Sequence, residues 1–593
     1  MNFVHPKNRM NILLKLLGFS LFSLTFSSIH SYANSLVKSR QQFEESLIKS
    51  DFLLLNQPIA PAEVTLYNLN PYINKWFLLE IRGERTYRIH VENRNSQNRL
   101  SLFGNGIKIE NSVTQHIHEC SLWSQTKIDF LSINFKEYKN PYFPLCNGNL
   151  YIRLKRSSKT RLSLTEWSTE ILRKSDFGED IINSVKPILV GMNAETAKKV
   201  YMKKAEQKKD HIGPLFAKAK KSDLGLISSN SHQLGIAVKQ KYDLTNMQYG
   251  SWYQTKMHQG VYTSLYIPEL IPKKILGTYK HKVFPISAEE KDKMIYLVAY
   301  DLSKFTIRYA VGTTQPGINA SVESYGRTAQ MRKSLISIGN IPPYDLKKSI
   351  GVFVGGFKSR HGKIRVGPHK GKRYGYIENG VELEPLSADL ATIYVSKSGK
   401  INIGKWPRSL KDQKNLRKEV IGARQNGTLL LNQGRPGQFV NHWYYGNWSA
   451  SADGIRASLR SGVCLQKFKD KEYLIFMAFT AATPSTMTRV MQAYSCTTGM
   501  HLDMNAHMYL HNAIYQVRED NSIKVEYLNK EMLFPPNLKR HRFILDNNRR
   551  DFFYVLKKSQ NEPNKLVNFE KGTKPQQNPE NESESDSEAT KTM

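Results

Sequence analysis

Short apolar runs that alternate with polar residues recur along most of this chain, and no other feature constrains its fold more. Tyr87, Ile89 and Val91 alternate with polar neighbours, Ile107 and Ile109 do the same, and Leu150, Ile152 and Leu154 repeat the pattern after the continuous apolar run 77–81. A period of two places every second side chain on one face of an extended strand. Asn and Gly between the runs are turn formers. A β-rich N-terminal domain over 34–160 is the expectation. From Val261 onward the signals return at 294–300, 305–311, 350–354, 391–395, 401–403, 429–431 and 473–479. One helix is expected among them. Thr483 is its N-cap, Pro484 its first residue, Met487, Val490, Met491 and Tyr494 its apolar face, and Gly499 its stop. This half reads as an α+β fold with a mixed sheet.

At 593 residues the chain exceeds one ordinary core. Ser163 and Glu166 form a capping-box pair, and 193–209 reads as a very basic helix. Together they make 161–250 a helical connector or linker between the β-rich domain and a second domain over 251–558. The tail 559–593 is rich in Pro, Gln, Asn, Glu and Ser, a composition that favours disorder.

The first 33 residues carry Lys7, Arg9 and Lys15, then an apolar stretch from Ile12, then Ser31-Tyr32-Ala33. That order is the pattern of a secretory signal peptide, with Asn34 as the mature N-terminus. No later stretch is long and apolar enough to span a bilayer. A periplasmic or secreted protein is expected. In an oxidising compartment the four cysteines pair most naturally as Cys120–Cys146 and Cys464–Cys496, one of three connectivities. The formal charge is +35, three of these charges lying in the leader. Such a surplus attracts polyanions. Outside the cytoplasm these are anionic lipid, lipopolysaccharide or phosphate-containing polymers. The chain carries no nucleic-acid module, so no nucleic acid is expected.

Three polar clusters stand out: Gly355-Gly356-Phe357-Lys358-Ser359-Arg360-His361-Gly362, then Arg424-Gln425-Asn426-Gly427, then Arg460-Ser461-Gly462 with His501-Leu502-Asp503-Met504-Asn505. His501, Asp503 and Asn505 share one face if the run is extended. An acid and a histidine at a strand end suit general acid–base work. With His507 they would also suit a metal, but the spacing matches no metal motif. No metal and no cofactor is assigned. Trp406, Trp443 and Trp448 are candidates for stacking on sugar rings.

The second half resembles the phosphodiester glycosidase domain family, which includes the enzyme that uncovers mannose 6-phosphate tags. The resemblance covers about 261–556. It rests on the ordered set Val354-Gly355-Gly356-Phe357-Lys358, the Asn379-Gly380 hairpin turn, Arg460-Ser461-Gly462-Val463-Cys464, a helix from Pro484, and Leu502-Asp503-Met504-Asn505. The family has Asn at the position of Val354, and Gly-Gly at Met504-Asn505. The resemblance implies cleavage of a sugar from a phosphodiester at the anomeric carbon. A phosphate monoester leaves with little protonation, so the usual flanking carboxylate pair is not strictly required. What the reaction needs is cationic donors on the phosphate, for which Arg460, Arg360 and Arg424 are candidates. It also needs a carboxylate, for which Asp503 is the candidate. His501 or His361 would relay a proton. The Gly355-Gly356 backbone would approach the ligand closely, and Asn426 and Asn505 would bind sugar hydroxyls.

The resulting expectation is an exported hydrolase acting on a glycosyl phosphodiester in envelope or extracellular glycans. The alternative is a binding protein for anionic envelope glycans on the same fold. Val354 favours the alternative; Arg460 and Asp503 favour the enzyme. A third possibility is an interaction protein whose N-terminal module does the work.

Overall fold

The computed structural model describes residues 52–54, 62–82, 86–122, 138, 140–155, 226–228, 233–239, 246–316, 334–448, 457–532, 541–544 and 546–558. The expected leader 1–33, the expected capping-box pair at Ser163, the expected basic helix 193–209 and the tail 559–593 lie outside them. Of the connector 161–250, the described parts are extended: Leu226–Ser228 pairs with Asn246–Gln248.

The N-terminal strands form a six-stranded sheet. Its order is Phe52–Leu54, Ala62–Asn68, Trp76–Arg82, Thr86–Asn93, Leu150–Arg153, Tyr142–Leu145. A three-stranded sheet of Asn98–Phe103, Gly106–Asn111 and Ile117–Ser121 accompanies it. Leu66, Phe77, Leu79 and Val91 pack with Leu100 and Ile107 between the two. The Cys120–Cys146 disulfide links the last strand of the small sheet to the residue after Tyr142–Leu145.

The larger part is built on an eight-stranded sheet. Its centre is Ile295–Asp301, Lys471–Ala482, Ser458–Phe468 and Cys496–Met504, side by side in that order. The run 473–479 is apolar at every position because the sheet is covered on both faces. Leu474, Phe476 and Ala478 enter one core. Ile475, Met477 and Phe479 enter another, beneath the helix Pro484–Ala493 and beside the Cys464–Cys496 disulfide. Thr483 caps that helix by accepting the Thr486 N–H at 3.2 Å. The helix ends earlier than Gly499: Ser495 takes a positive φ of 55°, and Gly499 lies in the following strand, pressed against Met491.

Two five-stranded sheets complete the fold. One is Phe305–Ala310, Phe552–Lys557, Ser349–Val354, Asn512–Val517, Ile523–Tyr527. It packs on the first face of the central sheet, where Phe353 stacks on Phe553 at 5.1 Å and leans on Phe476 at 5.6 Å. The other is Val381–Glu384, Tyr376–Glu378, Val420–Gln425, Ala391–Ser396, Ile401–Lys405. Its first hairpin turns at Asn379-Gly380, both with positive φ (48° and 80°), the primed geometry that suits strand twist. A Cβ on Gly380 would also lie 2.4 Å from Ile73 of the N-terminal sheet.

Every strand pairing among the described residues is antiparallel. The mixed sheet expected for the second half is therefore corrected to antiparallel, and within the expected α+β class the fold is sheet-dominated with few helices. The cause is connection length. Ser458–Phe468 and Lys471–Ala482, for example, are joined by Lys469-Asp470 alone, whereas parallel neighbours need a crossover of a dozen residues or more.

Candidate functional site

Three sheets bring strand ends to one place. Ser349–Val354 runs out into Gly355-Gly356-Phe357, Val420–Gln425 into Asn426, and Cys496–Met504 carries His501 and Asp503 near its end. Arg460 enters from the start of Ser458–Phe468, and Arg550 and Asp551 from the residues before Phe552–Lys557.

Arg460 is 1% exposed and points into protein. Its Nε donates to Ala482 O at 2.7 Å and its Nη1 to Trp448 O at 2.8 Å. Nη1 also lies 3.2 Å from His501 Nε2. All these acceptors are neutral, and among the described residues no carboxylate pairs with it. Burial pushes its pKa down to about 9, Glu290 working weakly the other way, so it is still a cation at neutral pH. His501 is fully buried, its pKa held well below the usual value by burial first and by the charge of Arg460 second. It is a neutral imidazole. Because Nε2 faces a donor it must accept, which puts the hydrogen on Nδ1. That Nδ1 has no hydrogen-bond partner among the described residues.

Asp503 meets Arg550 in a close ion pair between Oδ2 and Nη2, and its Oδ1 accepts the Met504 N–H at 2.9 Å. Arg550 Nη2 also donates to Gly356 O at 3.2 Å, and the guanidinium lies 4.8 Å from the Tyr509 ring centroid. Lys358 Nζ approaches the same ring at 5.5 Å. Behind them Asp551 Oδ2 accepts from Arg424 Nε at 2.7 Å, Tyr309 OH at 2.9 Å and the Gly356 N–H at 3.2 Å.

The expected site residues divide into two groups. Arg460 and His501 meet, and Asp503 lies two residues further along the His501 strand with its carboxylate on Arg550. Arg424 and Asn426 are near them but spent. Arg424 gives Nη1 to Gln425 O and Nη2 to Phe357 O in addition to its ion pair. Burial opposes its charge, yet Asp551 outweighs burial and raises its pKa. The Asn426 Nδ2 donates to the carbonyls of His501 and Leu502, both at 3.0 Å, and its Oδ1 accepts the Phe357 N–H. Neither is placed to hold a phosphate or a hydroxyl; they fix the backbone of the site. The two glycines lie against the same internal groups. A Cβ on Gly355 would sit 2.2 Å from the Asp551 carboxylate, and one on Gly356 3.0 Å from the Arg424 guanidinium. Their close approach is to this internal pair.

Asn505 leaves the strand with φ of 82°, so the shared face ends before it. Its N–H donates to Leu459 O at 2.8 Å. His361 is half-buried in a short turn whose carbonyl accepts from Asn447 at 3.2 Å. The side chains of Arg360 and Trp443 lie outside the described residues. Trp406 and Trp448 are each 1% exposed and serve as walls, not as stacking surfaces.

No protein-family profile matches this chain, and no curated protein matches it. Among solved structures it is similar to the zebrafish N-acetylglucosamine-1-phosphodiester alpha-N-acetylglucosaminidase catalytic domain auto-inhibited by pro-peptide. The identity is 10% and the TM-score 0.29, over 51% of this chain and 85% of that one. It is also similar to a hypothetical protein from Synechocystis, at 9% identity and a TM-score of 0.25, over 86% of this chain and 100% of that one. Both are distant resemblances of fold.

Arg550, Asp551, Tyr309 and Tyr509 were not legible as site residues. The signal that existed was Arg549-Arg550-Asp551 directly before the apolar run 552–556. Charges at the mouth of a buried strand are a common place for a site, but nothing in the sequence says that this strand end meets Asp503.

Proposed function

We propose that this protein is an exported hydrolase that cleaves a glycosyl phosphodiester in envelope or extracellular glycans. The observation that carries the proposal is the buried cation Arg460, which has no carboxylate partner among the described residues and stands on the strand next to Asp503. A buried, unpaired charge is costly, and an anionic ligand relieves it. The phosphodiester would take a hydrogen bond from Arg460 and a second from the Nδ1–H of His501. Asp503, paired with Arg550, would face the positive charge that develops on the sugar ring, or take a proton from the attacking water. The water oxygen bonds to the anomeric carbon. The bond from that carbon to the phosphate oxygen breaks, and the phosphate leaves with the electron pair. With Nε2 accepting from Arg460, His501 would act through its Nδ1–H.

The test is hydrolysis of chromogenic sugar-1-phosphodiesters by the mature chain beside Asp503→Asn. The expected result is a loss of about 10²–10⁴-fold in kcat, the range for a general acid–base group. Equal turnover by the variant would remove Asp503 from the chemistry.

A second reading, a binding protein without turnover, is favoured by two features. Asp503 is already engaged by Arg550. Val354 is 2% exposed in an apolar core, at the position where the resembled family has Asn. Tight binding of the diester by well-folded protein with no product released would select this reading.

A further inference from the structure

Beside the site a second feature projects into solvent. Residues 362–374 contain Lys363, Arg365, Lys370, Lys372 and Arg373 and no acid. They form a hairpin: Ile364 N–H donates to Lys372 O at 2.9 Å, Gly371 N–H to Ile364 O at 2.8 Å, and Tyr374 N–H to Gly362 O at 2.7 Å. The hairpin is held at both ends. At its root Ile364, fully buried, packs with Phe357, Tyr374, Leu390 and Met504, the residue after Asp503. Towards its tip, Gly367 has φ of 77° and lies so close to the Tyr445 ring that a Cβ would come within 2.3 Å. The buried His369 meets Phe439 edge-on at 5.7 Å. Lys363, Arg365, Lys370 and Arg373 are exposed, and none pairs with an acid among the described residues. Lys372 is neutralised by Asp389 at 3.1 Å, which Arg408 shares.

Ordinary solvated lysines sit on mobile stems and are interspersed with acids. Here four cations are mounted on a backbone braced from below and share an apolar root with the catalytic strand. We propose that this hairpin is the docking arm for a polyanionic glycan chain, whose repeated phosphates bind Lys363, Arg365, Lys370 and Arg373 while one glycosyl phosphodiester lies at Arg460 and Asp503. The proposal rests on the hydrolase reading for the bond that is cut, and deepens it by making the substrate a polymer of phosphate-bearing sugars, not an isolated diester.

Binding of fluorescent phosphodextran to the whole mature protein, measured over a range of salt, tests it. Lys363→Gln/Arg365→Gln/Lys370→Gln is compared with Lys273→Gln/Lys274→Gln/Lys280→Gln, which removes the same charge from exposed lysines elsewhere. Loss of phosphate contacts weakens binding and flattens its salt dependence. The hairpin variant should bind at least about tenfold more weakly at low salt, with a shallower slope, and the control should bind close to wild type. Equal losses in both variants, or none in the hairpin variant, would overturn the proposal. Tighter binding of a DNA oligomer than of phosphodextran would overturn the glycan assignment. Small-diester hydrolysis by the unsubstituted protein is scored separately: its absence would sink the hydrolase reading and leave the binding result to stand by itself.

Discussion

Arg153 and Arg460 are both 1% exposed, yet their surroundings are opposite. Arg153 lies where the N-terminal sheet meets the rest of the molecule. Its Nε binds Glu92 at 2.6 Å and its Nη2 binds Glu378 at 2.9 Å, while Nη1 donates to Ile336 O at 3.0 Å. The guanidinium also lies 4.4 Å from the Trp76 ring centroid. Burial works against its charge, but Glu92, Tyr142 and Glu378 outweigh it, and its pKa rises well above the usual value. Arg460 has only neutral acceptors, and its pKa falls to about 9. The first site is electrostatically closed and holds two parts of the chain together. The second has no carboxylate partner among the described residues. A buried arginine is therefore read by its partners, and burial alone says nothing about function.

Substitution tests this contrast most strongly. Arg153→Met would leave Glu92 and Glu378 buried without their cation, and breaking a buried pair costs about 3–5 kcal/mol. Urea unfolding should show a loss of that size. Arg460→Met removes an uncompensated charge and leaves two carbonyls short of a donor, at about 1–3 kcal/mol each before the relief of the charge is counted. The net change should be clearly smaller than at Arg153. Equal losses would mean that Arg460 is also a structural ion, with a partner outside the described residues. Next in size is ligand stabilisation. A sugar-1-phosphodiester at about 100 times its Kd should stabilise the wild type by about 2.7 kcal/mol. That shift should vanish in Arg460→Met. A shift that survives the substitution would place the anion elsewhere, with the basic hairpin as the first place to look.

The sequence showed part of this contrast. Strand positions were legible because alternation and short apolar runs are local signals. Strand direction was not, since it depends on which strands pair. Arg460, His501 and Asp503 were singled out by their order along the chain. The partners that decide their roles were not: Arg550 is 47 residues from Asp503, Asp551 is 127 from Arg424, and Glu378 is 225 from Arg153. Arg424 and Arg460 look alike as letters. Only the fold gives Asp551 to one and withholds a carboxylate from the other. The glycine pair was expected to let the backbone approach a ligand, and its close neighbours are side chains of the protein itself.

The smallest expected effect concerns acid. His501 lies beside Arg460, and His90 lies near Arg153; burial first and the neighbouring arginine second hold both well below the usual histidine pKa. His511 is buried in the same manner near Arg542. In the unfolded chain such groups titrate near about 6.5. Below that pH the unfolded chain takes up protons that the folded chain does not. Stability is therefore full above about pH 6.5 and declines as pH falls, by up to about 1.4 kcal/mol per pH unit for each histidine. Urea midpoints below pH 6.5 should show the decline, and His501→Gln should reduce its slope. An unchanged slope would mean that His501 takes up its proton in the folded state. A bound diester sharpens the test. Its negative charge beside His501 favours the imidazolium, raises the folded pKa towards 6.5, and narrows the difference in bound protons. Saturating ligand should flatten the wild-type slope by about as much as the substitution does, while leaving that of His501→Gln as it was. His90, locked behind Glu92 and Arg153, should not respond, so the two buried arginines would be told apart by the proton each neighbouring histidine accepts.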